Sequence, residues 1–316
     1  MSDTRTGVTM IRDAGDYTEY GTKAASLARL VSAGLPVPEA FCIPAAAYRA
    51  HAERADVPRL TSVLMQVPPD APMMSLAPIL QKIRSGIMST PFDDDLVAAV
   101  RSGLETIGGG PVSVRSSVTE HDMPSGPLIG RHGTYFASDF DETLRAIAHC
   151  WSSLWGDPAW RHREASGLTS SDVAVAVVIQ RLISADSSGL VFTADPMTGD
   201  RERIVVQSAY GLGESIVAGA VTPDRFVMTR GSLEIEESDI SRKRVRLLVD
   251  EKGRVAQRAV PAELVSEPSV SPEGLRMVAE LALLTEPVVG GEACVEWALD
   301  GDTAWLLQAR TLVVGR

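Results

Sequence analysis

The chain changes character at Asp172. Beyond it, Val173-Ala-Val-Ala-Val-Val-Ile-Gln180, Gly189-Leu-Val-Phe192, Arg203-Ile-Val-Val206 and Arg225-Phe-Val-Met228 are rich in β-branched residues and separated by turn formers, the pattern of short strands. Before it the pattern is mostly helical. Residues 22–33 carry an apolar stripe at Ala25, Leu27, Ala28, Leu30 and Val31, which Gly34 and Pro36 stop. Two further helices are expected within 52–110, behind a proline patch at 67–72. Trp151, Trp155 and Trp160 have the spacing of a packed helical face. A helical part followed by a strand-rich part defines an α+β chain. At 316 residues it is long enough for two modest units, and the change of pattern divides it into 1–185 and 186–316.

A formal net charge of −11 argues against nucleic acid as a general partner, because phosphate backbones reward basic surfaces. Any phosphate must then be held by a few local cations. No run of about 18 apolar residues offers a membrane span, and Met1-Ser-Asp-Thr-Arg5 lacks the apolar core of a secretion signal, so a cytoplasmic protein with no membrane partner is expected. Cys42, Cys150 and Cys294 are odd in number and far apart, which suggests neither a disulfide framework nor a zinc knuckle.

Anion-handling groups concentrate in Pro111-Val-Ser-Val-Arg-Ser-Ser-Val-Thr-Glu120. Val112 and Val114 alternate with Ser113, Arg115 and Ser117, so one strand face is apolar and the other carries a guanidinium among hydroxyls. Such an arginine either grips a phosphate through two parallel hydrogen bonds or ties the strand end to a carboxylate of the fold. Lys23 falls in the first turn of the 22–33 helix, where the helix dipole disfavours a cation, so it is either solvated or part of an anion site. The basic cluster Arg242-Lys-Arg-Val-Arg246 reads as a solvated strand edge.

Near the C-terminus, Cys294–Leu299 and Ala304–Arg310 flank Asp300-Gly-Asp302, a hairpin signal. Odd positions carry Val295, Trp297, Leu299, Trp305 and Leu307, while Glu296, Gln308 and Arg310 are even. A three-residue turn pairing Leu299 with Thr303 keeps the even positions of both strands on one face, with Glu296 opposite Leu306 and Gln308 opposite Cys294. A carboxylate and an amide oxygen on one rigid face suit Mg²⁺, which also takes waters and nucleotide phosphates; the alternative is a solvent-facing polar hairpin.

Four groups of residues occur together in order. They are Tyr20-Gly-Thr-Lys-Ala-Ala-Ser-Leu27 with Gly34-Leu-Pro-Val-Pro38; the arginine-serine segment 111–120; Ser188-Gly-Leu-Val-Phe-Thr-Ala-Asp-Pro196 through Tyr210-Gly-Leu-Gly-Glu214 to Val221-Thr-Pro-Asp224; and Val295-Glu-Trp-Ala298 with Leu307-Gln-Ala-Arg310. In order and spacing they resemble the N-terminal ATP-binding domain of phosphoenolpyruvate synthase, pyruvate phosphate dikinase and rifampin phosphotransferase, over nearly the whole chain. The resemblance implies an ATP-grasp-like fold, with a mainly helical N-terminal subdomain, a β-rich C-terminal one and nucleotide in the cleft between them. It implies that Lys23, Arg115 and Arg310 act on the phosphates as cations. It also implies that Thr134 follows the phosphate-covering loop, that Gln180 meets the adenine edge and that Glu214 and Asp224 line the cleft. By the same resemblance Glu296 and Gln308 are expected to hold the magnesium of Mg-ATP. The lone Gly-Leu-Gly triplet lacks the third glycine and the later acid of a dinucleotide-binding turn, which excludes the Rossmann reading.

The chain departs from the family pattern at several points. Glu120-His-Asp-Met-Pro124 and Ser125-Gly-Pro-Leu-Ile-Gly-Arg-His-Gly-Thr134 replace the usual acidic segment and covering loop, with Pro127 in the place of the loop serine and Arg131 in that of the glutamine. Proline cannot offer a backbone N–H to an anion. Gln207 stands where a glutamate is common and Cys294 where an aspartate is usual. None of His51, His121, His132, His149 and His162 has the Thr-Ser-His context of the family's phosphate-carrying histidine. The expectation is an ATP-dependent phosphotransferase component that needs a separate phosphohistidine carrier and an acceptor-binding protein or domain. The alternatives are direct phosphorylation or ligation of a small acceptor, or nucleotide binding without catalysis.

Overall fold

The computed structural model describes residues 7–68, 71–119, 133–165 and 174–313. The chain divides into two compact units, one made of 1–25 and 39–181, the other of 26–38 and 182–316. Residues 26–38 therefore group with the strand-rich unit, where the division at 185/186 had kept them with the helical one. They do so through bonds to the last strand of the chain: the Leu306 N–H donates to the Pro36 carbonyl at 2.8 Å, and the Ser26 hydroxyl to the Ala309 carbonyl.

In the first unit the elements run β1 (Thr9–Met10), α1 (Tyr17–Ser32), β2 (Ala40–Ile43), α2 (Ala45–Arg54), α3 (Val57–Leu64), α4 (Met73–Ser89), α5 (Asp94–Thr106), β3 (Val112–Val118), β4 (Thr134–Ala137), α6 (Phe140–Ser153), α7 (Asp157–Ala165) and β5 (Val175–Arg181). The two helices expected behind the proline patch are α4 and α5; α3, ahead of the patch, was not foreseen. An Asp93 cap on the Asp95 N–H starts α5. The five strands form one antiparallel sheet in the order β1-β2-β5-β3-β4. The alternation in β3 sorts its two faces. Val112 and Val114 join Val175, Val177, Ile179, Phe41 and Ile43 in the helix-covered core, together with Trp151, Trp155 and Trp160. The tryptophans are thus core, and the Trp155 indole N–H donates to the Tyr48 hydroxyl at 2.9 Å.

The second unit continues with β6 (Ser187–Phe192), β7 (Arg203–Tyr210), α8 (Glu214–Val217), β8 (Asp224–Thr229), β9 (Ile235–Asp239), β10 (Val245–Val249), β11 (Val255–Ala259), α9 (Pro272–Leu283), α10 (Glu286–Val289), β12 (Ala293–Asp300) and β13 (Thr303–Thr311). Six strands make an antiparallel sheet ordered β13-β12-β6-β7-β8-β9, and β10 and β11 form a separate hairpin. Among the described residues no helix is long and apolar enough to cross a membrane.

The hairpin of β12 and β13 corrects the expected register. Its turn has two residues, pairing Asp300 with Thr303 and Leu299 with Ala304, and the ladder then runs through Ala298 with Trp305 and Trp297 with Leu306. This is the slip that would have put Glu296 opposite Leu307. A β-bulge between Glu296 and Trp297 absorbs it: Leu307 is left over, and Glu296 faces Gln308, Val295 faces Ala309 and Cys294 faces Arg310. Toward the turn the buried positions of β13 are consequently the even ones, Ala304 and Leu306, whereas Trp305 and Leu307 are only half-buried.

Candidate functional site

Directly opposed residues of antiparallel strands share a sheet face. In the first unit this places Thr134, Arg115, Val178 and Cys42 in one row across β4, β3, β5 and β2, and Phe136, Ser113, Gln180 and Ala40 in the next. Arg115, Thr134 and Gln180 therefore lie together on the face turned away from the helical core. Arg115 is 7% exposed, so its charge is only weakly screened by solvent. Gln180 is 2% exposed, and its side-chain N–H₂ has no hydrogen-bond partner among the described residues. A buried amide donor left over is costly, and a ligand acceptor would relieve it.

Lys23 follows a break in α1. Gly21 has φ +77° and ψ 169°, so the regular helix restarts at Thr22 with half-buried Lys23 in its first turn. The strand segment of Arg115 clamps that restart. The Ser117 hydroxyl accepts from the Ala24 N–H at 3.2 Å and donates to the Tyr20 carbonyl at 2.7 Å. Lys23 also lies within electrostatic reach of Cys150, whose thiol bonds to the Val114 carbonyl at 3.7 Å. Burial pushes the Cys150 thiol up to about 12, with the Lys23 charge pulling the other way.

In the second unit one row of the six-stranded sheet reads Gln308, Glu296, Leu190, Gln207 and Arg225, and the neighbouring row begins Arg310, Cys294 and Phe192. Glu296 and Gln308 are direct neighbours, both half-buried, with exposed Arg310 one step along the same face. Gln207, in the place of a family glutamate, lies in the Glu296 row. Cys294 is 4% exposed and faces Arg310, not Gln308 as the expected register had it. Burial pushes its thiol up against the pull of the Arg310 charge, so it is a neutral, poor ligand for a hard cation. Glu214 opens α8 after the glycine turn. Gly211 has φ +75°, and a Cβ there would stand 2.1 Å from the Leu247 carbonyl oxygen, so the position requires glycine. The turn packs on Ser188, which lies on the Glu296 face of β6: the Ser188 hydroxyl donates to the Gly211 carbonyl.

Glu296 and Gln308 offer one carboxylate and one amide oxygen. Among the described residues no group of three or more His, Cys, Asp or Glu side chains is placed to hold a metal. A donor set this sparse does not suit zinc or a full calcium cage. It fits magnesium, which takes one or two protein oxygens and keeps waters and phosphates.

Two sequence-based expectations change. Asp224 was expected to line the cleft; it is fully buried, as is Lys243, with which it forms an ion pair. Its carboxylate also accepts from the Ser241 N–H at 2.9 Å, the Ser269 N–H at 2.8 Å and the Ser269 hydroxyl at 2.7 Å. The same pair removes Lys243 from the solvated strand edge assigned to 242–246. The substituted loop containing Pro127 and Arg131 lies outside the described residues. The part played by Ser117 was not foreseen, although a glycine before a helical stripe and a second strand rich in hydroxyls are the signals that carry it.

Two α+β units, each built on an antiparallel sheet with helices packed against it, agree with the expected ATP-grasp-like class of protein. Residues 18–315 match the family described as pyruvate phosphate dikinase, AMP/ATP-binding domain, and the chain belongs to it. It is 38% identical over 95% of its length to the prodigiosin synthesizing transferase PigC of Serratia marcescens, covering 32% of that protein. It is 31% identical over 94% to a probable phosphoenolpyruvate synthase of Methanocaldococcus jannaschii, covering 26%, and 31% identical over 95% to a rifampicin phosphotransferase of Streptomyces sp, covering 35%. The chain thus spans well under half the length of the curated relatives it matches. Among solved structures, D-alanine–D-alanine ligase from Bacillus anthracis aligns at 11% identity with a TM-score of 0.35, over 92% of this chain and 57% of that one, a likeness too small to bear on function.

Proposed function

We propose that the chain is the ATP-binding component of a dikinase-like phosphotransferase: it holds Mg-ATP and passes a phosphoryl group to a histidine on a separate carrier domain or protein. The observation that carries the proposal is the direct pairing of Glu296 with Gln308 on one sheet face, with Arg310 one step away. Lys23, Arg115 and Arg310 serve as cations for the phosphates, Thr134 adds a hydroxyl beside Arg115, Gln180 offers its leftover amide donor to the base, and Glu214 stands on the Glu296 side of its sheet.

Phosphoryl transfer asks little covalent chemistry of the protein; it asks for aligned groups and charge compensation. Arg115 on a central strand and Glu296 and Gln308 on a hairpin are set by ladder hydrogen bonds, so their directions are fixed before nucleotide arrives. Bound magnesium, held by Glu296 and Gln308, would neutralise charge on the phosphates. The attacking nitrogen belongs to the carrier. An acceptor-binding domain then takes the phosphate from the carrier, and its substrate is set there.

The test is incubation of the chain with Mg-ATP, with and without the histidine-bearing domain of a relative. Release of AMP and inorganic phosphate is expected, with the β-phosphate left on that domain as an acid-labile phosphoimidazole and the terminal phosphate passed to water, both dependent on the domain's presence. Robust turnover of ATP to ADP with a small acceptor and no carrier overturns the proposal.

A further inference from the structure

A helix that restarts after a break leaves its first backbone N–H groups without helical partners, and the residue before the restart ordinarily supplies a side-chain acceptor for one of them. In α1 that residue is Gly21, which has no side chain. The acceptor comes from 93 residues beyond Ala24: the Ser117 hydroxyl, on β3, takes the Ala24 N–H at 3.2 Å. Ala24 is the third residue after the break, the position an ordinary cap serves.

The same hydroxyl donates to the Tyr20 carbonyl at 2.7 Å, so one side chain holds the chain on both sides of the break. The fit leaves no slack. A Cβ at Gly21 would stand 2.4 Å from the Ser117 carbonyl oxygen and 2.5 Å from its hydroxyl, and Gly21 has the left-handed φ of +77° that favours glycine. Ser117 is fully buried, with Arg115 two residues earlier on the same face of the strand.

From this geometry we infer that Ser117 is a positioning residue for Lys23: it caps the helix start that carries the lysine and fixes that start to the strand carrying Arg115, without touching nucleotide itself. The inference rests on the reading of Lys23 as a phosphate cation. Removing the hydroxyl frees the first turn of the restarted helix, and the lysine then samples directions that no longer favour a phosphate.

The test is a double-mutant cycle on ATP binding by the full chain, using calorimetry in magnesium buffer, with S117A, K23A and the double variant; thermal unfolding is recorded for each. Loss of a helix cap predicts an affinity for ATP about three- to tenfold weaker in S117A. In the K23A background the same substitution should change affinity less than about twofold, because the group it positions is gone. Ser117→Thr, which keeps the hydroxyl, should restore most of the binding. If S117A melts below the assay temperature, S117C, with its weak acceptor, carries the same cycle. An S117A effect undiminished in the K23A background overturns the positioning role, since general loosening of the unit acts whether or not the lysine is present. So does an S117A affinity equal to wild type. Wild-type protein that binds no ATP sinks the nucleotide reading and this inference with it, a pattern distinct from an additive cycle.

Discussion

Replacing Lys243 by methionine should cost the second unit about 3–5 kcal/mol, the usual cost of stripping one partner from a buried ion pair. Both side chains of the Lys243 and Asp224 pair are 0% exposed, so no water can take over the charge left behind. The Asp224 carboxylate keeps three donors in that variant, from Ser241 and twice from Ser269, but all three are neutral. Asp224→Ala should cost a similar amount by the opposite route. It strands an ammonium whose remaining acceptor is the Ser241 carbonyl at 2.8 Å, and it orphans the Ser241 and Ser269 N–H groups. The double variant removes both charges, leaving chiefly the orphaned N–H groups at about 1–3 kcal/mol each, so its loss should fall short of the sum of the singles by about 2 kcal/mol or more. Urea unfolding measures the totals. Hydrogen exchange localises them, because the Ser241 and Ser269 amides should lose protection first. Single losses below about 1 kcal/mol, or a double variant equal to the sum, would show that the pair is not the isolated buried contact described.

Arg115→Ala should weaken ATP binding by about 1.5–3 kcal/mol, the size of a charge-assisted hydrogen bond, as read by calorimetry; unchanged affinity removes Arg115 from the site. Glu296→Gln should raise the magnesium concentration needed for half-maximal ATP binding about tenfold or more, whereas a purely structural carboxylate would leave that requirement in place. His51 is buried against Trp151 and Phe92, with its Nε2 2.9 Å from the Ile87 carbonyl oxygen, and burial lowers its pKa below the ordinary 6.5. The unfolded chain therefore takes a proton that the folded one resists, so stability is kept above pH 6.5 and falls as pH drops below it. His51→Gln should flatten that part of the curve in urea titrations between about pH 7 and pH 5, above the range where carboxylates titrate.

Much of the fold was legible because local pattern and tertiary packing agree. The valine alternation in 112–118 and the β-branched run at 173–180 became the central strands β3 and β5, and the stripe 22–33 became the regular part of α1. What the sequence could not reveal lies in long-range accommodation. The parity of Glu296, Gln308 and Arg310 pointed correctly to a shared face, yet the turn was misjudged by one residue, and only the bulge at Leu307 reconciles the two. Periodicity cannot see a bulge, since it counts positions along one strand and not across the pair. Lys243 stood in a run of basic residues whose partner, Asp224, is 19 residues away, so charge patterning assigned it to solvent. Residues 26–38 changed unit because their bonds reach Leu306 and Ala309, far beyond any local window.

The bulge interrupts the pairing of β12 with β13 between the tip of the last hairpin and its base, while the pairing of β12 with β6 runs unbroken from Cys294 to Leu299. Below it, Glu296 and Gln308 are aligned by the ladder through Val295, Cys294 and strand β6; above it, the turn at Gly301 and Asp302 sets only its own few pairs. A change of loop length at the tip can thus be taken up as another irregularity without rotating Glu296 and Gln308 beneath. For engineering, this makes 301–302 the place in the second unit to graft a reporter or an affinity tag while leaving the oxygen pair undisturbed, a freedom that a hairpin with one continuous register would not grant.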